Sequence, residues 1–212
     1  VERVLEHVAT EDLLEREPRD LAGAVAALRS FAGTRSPGTT LVRVLSPSLR
    51  EHAWTSRRTI VQICTDDSPF LVDSVTAAIA QDELSVHLIV HPLLVVRRSP
   101  AGELEQIREE RPPSTAGLTE SWMHIEVDRL PSVEAEDALA GRLRDVLDDV
   151  RAVVEDWLPM RSACDAITRD LERGVPATVD PGEVEPTRQF LSWLADDHFT
   201  FVGYREYALD EA

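Results

Sequence analysis

The sequence predicts an α+β sandwich whose elements follow one another as βαββαβ, with additional N- and C-terminal helices. Three observations carry that prediction. The run Thr59-Ile-Val-Gln-Ile-Cys-Thr65 is dense in β-branched residues and passes directly into a helix-start signal at Ser68-Pro69. The segment Trp122 to Asp128 alternates strictly, with Met123, Ile125 and Val127 on one face and His124, Glu126 and Asp128 on the other. Beyond it, Leu139, Leu143, Leu147, Val150, Val154 and Trp157 recur at helical spacing.

In chain order, Leu21, Val25, Leu28 and Phe31 mark a helix that stops at Gly33, before the turn Ser36-Pro37-Gly38. Leu41 to Leu45 reads as a short strand, Pro47 to Ser56 as a connector and Thr59 to Thr65 as a strand entering the core. Ser68 suits a helix cap and Pro69 the first helical position, where a missing N–H is no loss. Leu71, Val75, Ala78 and Ile79 then share one helical face. Val86 to Val96 is strand-like with an interruption at Pro92, which implies an edge or a bulge. Arg97 and Arg98 read as an exposed strand end before the turn Ser99 to Gly102, and the charged, proline-bearing stretch up to Glu120 reads as mobile. The alternation at Trp122 to Asp128 predicts a sheet with one wet face. Pro131 and Ser132 open the long helix, Glu134, Glu136 and Asp137 complement the dipole of its first turn, and Arg161 to Arg173 is a further helical stretch. A proline-rich break from Val175 to Pro186, a helix from Thr187 to Leu194 and a closing strand at His198 to Tyr204 complete the order of a ferredoxin-like sandwich. The corresponding divisions are an N-terminal arm (1–57), a core (58–157), a helical extension (158–197) and a closing strand with the start of a linker (198–212).

Composition removes several functions. Acidic residues outnumber basic ones by 39 to 22 for a net charge of −17, which repels nucleic-acid phosphates and anionic lipid, so neither nucleic acid nor membrane is an expected partner. All the basic residues are arginine, and without lysine there is no P-loop, Schiff-base or lysine general-base chemistry. Cys64 and Cys164 lie far apart with no CxxC pair, which fits two free thiols in a reducing compartment. The acidic, amphipathic start is unlike a secretory signal and no apolar run reaches a bilayer's width, so the expectation is cytoplasmic. A chain that begins on Val and stops in a charged tail reads as a piece of a longer protein.

The strand-to-helix passage Thr65-Asp-Asp-Ser-Pro-Phe-Leu-Val-Asp-Ser-Val75 resembles the opening of ACT domains, small regulatory modules that commonly bind amino acids. The runs Val86-His-Leu-Ile-Val-His-Pro92, Glu120-Ser-Trp-Met-His-Ile-Glu126, Val150-Arg-Ala-Val-Val-Glu-Asp-Trp157 and Trp193 to Tyr207, in that order, resemble the amino-terminal region of the large bacterial NAD-specific glutamate dehydrogenases. The resemblance implies a homo-oligomeric parent enzyme that converts L-glutamate and NAD to 2-oxoglutarate, ammonia and NADH, with ACT-like modules ahead of a distant catalytic domain. Such enzymes use lysines on the substrate, and no GxGxxG follows a strand here, so this segment is expected to be non-catalytic, to bind no cofactor itself and to leave NAD to the parent. Other domains and sister subunits of that enzyme are its implied partners.

By the same resemblance, Asp66, Asp67, Ser68, Pro69 and Phe70 form the candidate effector loop. Acids before a helix are also ordinary dipole partners, and ACT domains usually carry Gly after the Pro, where Phe70 stands. The physical reading makes Ser68 a cap and turns Phe70 into a hydrophobic contact at the sheet or a partner module. His87, His91 and His124 invite a metal, but strand residues four apart are about 13 Å from each other, too far to ligate one ion together. Trp122, Trp157 and Trp193 read as packing anchors, an exposed one marking contact with further domains. Three functions follow: a regulatory and assembly module, a structural spacer without ligand, and a free-standing hydrolase using Asp66, Asp67 and a histidine, for which the sequence shows no assembled site.

Overall fold

A computed structural model describes residues 2–5, 8–14, 16–108, 118–175 and 180–207. The chain forms two compact units, residues 1–150 and 151–212. In order, the elements are α1 (Glu2–Leu5), α2 (Thr10–Leu14), α3 (Pro18–Phe31), β1 (Leu41–Leu45), α4 (Leu49–His52), β2 (Thr59–Asp66), α5 (Leu71–Gln81), β3 (Val86–Val90), β4 (Leu93–Arg98), β5 (Leu104–Ile107), β6 (Leu118–Val127), α6 (Val133–Arg173) and α7 (Pro181–Trp193). A π-turn, Leu194–His198, follows α7. No helix among the described residues is long and apolar enough to cross a membrane.

The first unit is built on an antiparallel sheet ordered β1-β2-β6-β4-β5, with β3 also paired to β6. Strands β2 and β6 pair from Thr59 with Val127 to Asp66 with Glu120. On the other edge of β6, β4 meets its first half and β3 its second. Pro92 falls between β3 and β4 and interrupts them as its missing N–H requires.

Because side chains alternate along each strand, this register fixes two faces. One face carries Val61, Ile63, Met123 and Ile125, each without measurable exposure. The apolar stripes available to cover it are those of α5 (Leu71, Val75, Ala78, Ile79) and of the first half of α6 (Leu139, Leu143, Leu147, Val150), and all of these are buried. Arg144 of α6 also donates to the Val42 carbonyl of β1. The opposite face carries Ile60, Gln62, Cys64, Trp122, His124 and Glu126. There, α3 contributes Leu28 and Ala32 to a cluster with Cys64, Leu94, Val96 and Trp122. Ala24 of α3 joins Leu45, Trp54 and Ile60 in a second cluster. Gly23 is required for that packing, since a Cβ there would stand 2.4 Å from the Trp54 Cβ.

Several expectations change. The polar face of β6 is not wet, because α3 and the N-terminal arm lie on it, leaving His124 6% and Glu126 9% exposed. The stretch before Glu120 contains strand β5, and β6 starts at Leu118; the remainder of that stretch, residues 109–117, lies outside the described residues. Arg97 is exposed beside Glu105, but Arg98 is buried. The two helical stretches after Pro131 are one element, α6, with Pro159 inside it. Helix α7 starts at Pro181, before the expected Thr187, because Asp180 caps it by accepting from the Gly182 N–H and Pro181 takes the first position. Of the expected proline-rich break, residues 176–179 lie outside the described residues.

The closing strand is also absent, with no strand assigned from Phe199 to Tyr207. The place beside β2 that a fourth strand of this sandwich requires is taken from the N-terminal side, by β1, which pairs Leu41 with Cys64 through Leu45 with Ile60. Among the described residues of the second unit only helices are assigned.

The Leu147 side chain is 2% exposed on the inward stripe of α6. Truncation to Ala should cost about 2–5 kcal/mol in a chemical-denaturation experiment, and an unchanged midpoint would contradict the face assigned to this helix.

Candidate functional site

The candidate loop runs from the end of β2, and its first residue, Asp66, is half-buried and already engaged within the protein. The Asp66 carboxylate accepts from Arg35 Nη2 at 2.5 Å and from the Gly38 N–H at 2.9 Å. Directly across the strand pair stands Glu120, so two acids would oppose each other on one face if nothing lay between them. Arg35, 1% exposed, fills that position. It donates to Glu120 Oε1 from Nε at 3.1 Å and Nη2 at 2.6 Å, and to the Thr39 carbonyl from Nη1 at 2.8 Å.

Glu120 has no solvent exposure and gathers further donors. Arg98 Nε reaches Oε1 at 2.6 Å, while Arg98 Nη2 at 2.9 Å, Trp122 Nε1 at 2.8 Å and the Cys64 thiol at 3.5 Å reach Oε2. Two guanidinium groups and two carboxylates thus balance in charge. Burial pushes the Glu120 carboxyl upward, but the hydrogen bonds from Arg98, Trp122 and Arg35 outweigh it and hold the group at about 2. Burial first, and then Glu120, push the Cys64 thiol up to about 12, so this cysteine is no nucleophile at neutral pH. Gly102 belongs to the same construction. It adopts φ +82°, its carbonyl accepts from Arg98, and a Cβ there would stand 2.6 Å from the Arg35 carbonyl oxygen.

The rest of the loop is outward. Asp67, Pro69 and Phe70 are exposed and Ser68 is half-buried, with the Asp67 N–H donating to the Thr119 carbonyl. Ser68 is not the cap. Helix α5 starts at Leu71 and its cap position is Phe70, whose carbonyl accepts from the Ser74 N–H. Phe70 sits in the left-handed region at φ 68°, where a residue with a Cβ is strained. Ser68 and Pro69 therefore lie in the turn that leads into the helix, and the Phe70 ring is 47% exposed instead of seated on the sheet. The position where ACT domains usually carry Gly has the backbone conformation that Gly favours.

The three histidines have separate partners. His87 Nε2 meets Asp128 at 2.7 Å, His91 Nε2 meets the Ser121 hydroxyl at 2.6 Å, and His124 Nδ1 meets Gln62 at 3.4 Å. Among the described residues no group of three His, Cys, Asp or Glu side chains is placed to hold a metal. Cys64 and Cys164 are both free and buried. Trp122 is fully buried, Trp157 half-buried, and Trp193 is 49% exposed beside the ring of Phe190. Arg35 lies in no motif of the sequence; Glu120 opens one of the runs that resemble the family, and its signal as a buried group is its placement in the same parity as Trp122.

Residues 1–143 match the family model described as the glutamate dehydrogenase ACT1 domain. Over 204 residues, 96% of this chain, the sequence is 36% identical to the NAD-specific glutamate dehydrogenase of Halomonas elongata. It is 33% identical over 97% of its length to that of Pseudomonas aeruginosa, and 25% identical over 68% to that of Mycobacterium tuberculosis. The chain spans 13% of the length of the first two relatives and 9% of the third.

Two predictions follow from the loop and its anchor. The Glu120 carboxyl is depressed from about 4.3 in an unfolded chain to about 2 in the fold. Its contribution is therefore complete above the unfolded value and is lost as pH falls through about 2. Glu120→Gln should cost about 3–5 kcal/mol at neutral pH by leaving two buried arginines short of an anion, and the gap to wild type should narrow as pH falls below 4 (about the unfolded value) in denaturant titrations. Phe70→Gly should raise stability by about 1 kcal/mol by relieving the left-handed strain, whereas Phe70→Val should lower it; thermal melts of both variants provide the check.

Proposed function

Because this chain belongs to the family of glutamate dehydrogenase ACT1 domains, we propose that it is a non-catalytic regulatory and assembly segment of a large NAD-dependent glutamate dehydrogenase. The observation that carries the proposal is that nearly the whole chain aligns with about an eighth of NAD-specific relatives while containing no lysine for substrate chemistry. In this reading the parent oxidises L-glutamate to 2-oxoglutarate with NAD, and the nicotinamide and glutamate sites lie in other parts of it. Sister subunits and neighbouring domains are the partners. The exposed aromatic side chains of Phe190 and Trp193 fit such a contact in the second unit.

An amino-acid effector at the loop would address Asp67, Ser68, Pro69 and Phe70, because Asp66 is already held by Arg35 and Gly38. A second reading, a structural spacer without ligand, draws support from that same engagement of Asp66 and from the exposed Phe70 ring at the loop's mouth. The two differ in whether a ligand biases the assembly.

The purified chain should give no glutamate-dependent NAD reduction. In the full-length parent, Asp67→Ala should leave turnover without effector within about twofold while shifting the concentration of amino acid that modulates the rate by about tenfold. Turnover from the chain alone that scales with its concentration would sink the proposal, and a modulation curve unchanged by the substitution would favour the spacer.

A further inference from the structure

On the sheet face opposite α5 and the start of α6, the first unit holds a cavity of about 460 Å³. Its apolar walls come from α3 (Leu21, Val25), β3 (Leu88, Val90) and Trp54, and its polar wall from Arg16, Glu126 and His124. That size falls within the range of small-molecule sites, and the lining divides between apolar and polar groups.

The polar wall has a definite hydrogen-bonding sense. Arg16 and Glu126 satisfy each other through two bonds, Nε to Oε1 at 3.0 Å and Nη2 to Oε2 at 2.7 Å, so they present no net charge. Gln62 Oε1 accepts from Arg43 Nε and Nη2, which turns its amide nitrogen toward His124 Nδ1. That nitrogen can only donate, so Nδ1 accepts and the neutral imidazole carries its proton on Nε2. Burial, the largest influence, lowers the His124 pKa to about 4, which keeps the ring neutral at physiological pH. Nε2 has no partner among the described residues, and none of the fully buried side-chain nitrogens and oxygens lacks one, so this N–H opens into the cavity. Ser56, Arg57 and Arg58, together with the acids Glu17 and Asp20, also line the cavity.

We propose that this cavity binds a small molecule with an apolar body ending in a hydrogen-bond-accepting oxygen, a carbonyl or a carboxylate, which receives the His124 Nε2–H while the body lies against Trp54, Leu88 and Val90. The site is separate from the loop at Asp66 to Phe70, so it stands whether or not that loop takes an effector. A ligand that can only donate meets the wrong polarity at His124.

The test uses the 212-residue chain with three probes of one shape, benzylacetone as the neutral ketone, hydrocinnamate as the carboxylate and phenylpropylamine as the donor-only cation. Nuclear magnetic resonance of the wild-type protein follows the His124 ring and the Leu88 and Val90 methyl groups. Saturable shifts of these signals with the ketone, the carboxylate or both, and weaker binding of the amine, are expected; whichever acceptor binds more tightly identifies the class within the proposal. His124→Phe should weaken binding of the better probe by about three- to tenfold, the loss of one hydrogen bond. Val90→Phe should abolish the shifts by filling the space, and because the wild-type titration needs no variant, the result does not depend on either substitution folding. An amine that binds as tightly as the ketone and the carboxylate, shifts confined to residues outside the cavity, or no saturable shift with any probe would overturn the proposal.

Discussion

Glu120 has no contact with water, and the first unit is organised around its charge. It collects donors from the N-terminal arm through Arg35, from β2 through Cys64, from β4 through Arg98 and from its own strand through Trp122. A buried carboxylate costs several kcal/mol to desolvate, and its pairing largely offsets that cost without adding great net stability. What the arrangement contributes is specificity. A one-residue slip of β6 would turn Glu120 to the opposite face, among Val61, Ile63 and Ile125, and strand Arg35 without an anion, so the register of the central strand pair and the seat of the arm are set together.

The same anchor connects the sheet to its second cover. Arg35 lies just after α3, and Arg98 also donates to the Ala32 carbonyl at the end of that helix, so the cluster ties α3 to the polar side of β6. An α3 held in this way roofs His124 and Glu126, and with Trp54 it encloses the cavity on that face. Asp66 lies at the other end of the cluster, where it steadies the first residue of the loop while the next residues stay outward. Loop and cavity thus share one sheet yet have different chemistry: the loop offers a strained, exposed Phe70, and the cavity offers apolar and polar walls with the oriented N–H of His124 between them.

For a member of the glutamate dehydrogenase ACT1 domain family, this division makes physical sense. The sheet takes its fourth strand, β1, from the N-terminal side, and both of its faces are covered. The unit thus completes its own sandwich with residues from its first 150 positions. In the proposed regulatory role, such a module would pass a ligand's effect onward through its surfaces, of which the outward loop after β2 is one.

From the residues alone came the βα passage at Thr59 to Ile79, the inward set Met123, Ile125, Val127, Leu143, Leu147 and Val150, and the family, because periodicity and local runs are properties of the chain itself. Tertiary structure decided the rest. Alternation in β6 distinguishes polar from apolar but not wet from covered, so His124 and Glu126 read as solvated until α3 was placed over them. The left-handed turn at Phe70 carries no composition signal, since the residue type that favours it is missing, and Ser68-Pro69 offers an equally good helix start just ahead of the one the chain uses. Which strand fills the edge beside β2 is a competition between two segments far apart in sequence, Leu41 to Leu45 and the run at Phe199, and only the pairing itself shows that the nearer one holds it. The partners Arg35 and Glu120 are 85 residues apart; charge and spacing leave either one looking like an ordinary surface residue, and it is the closing of the fold around both that turns them into its centre.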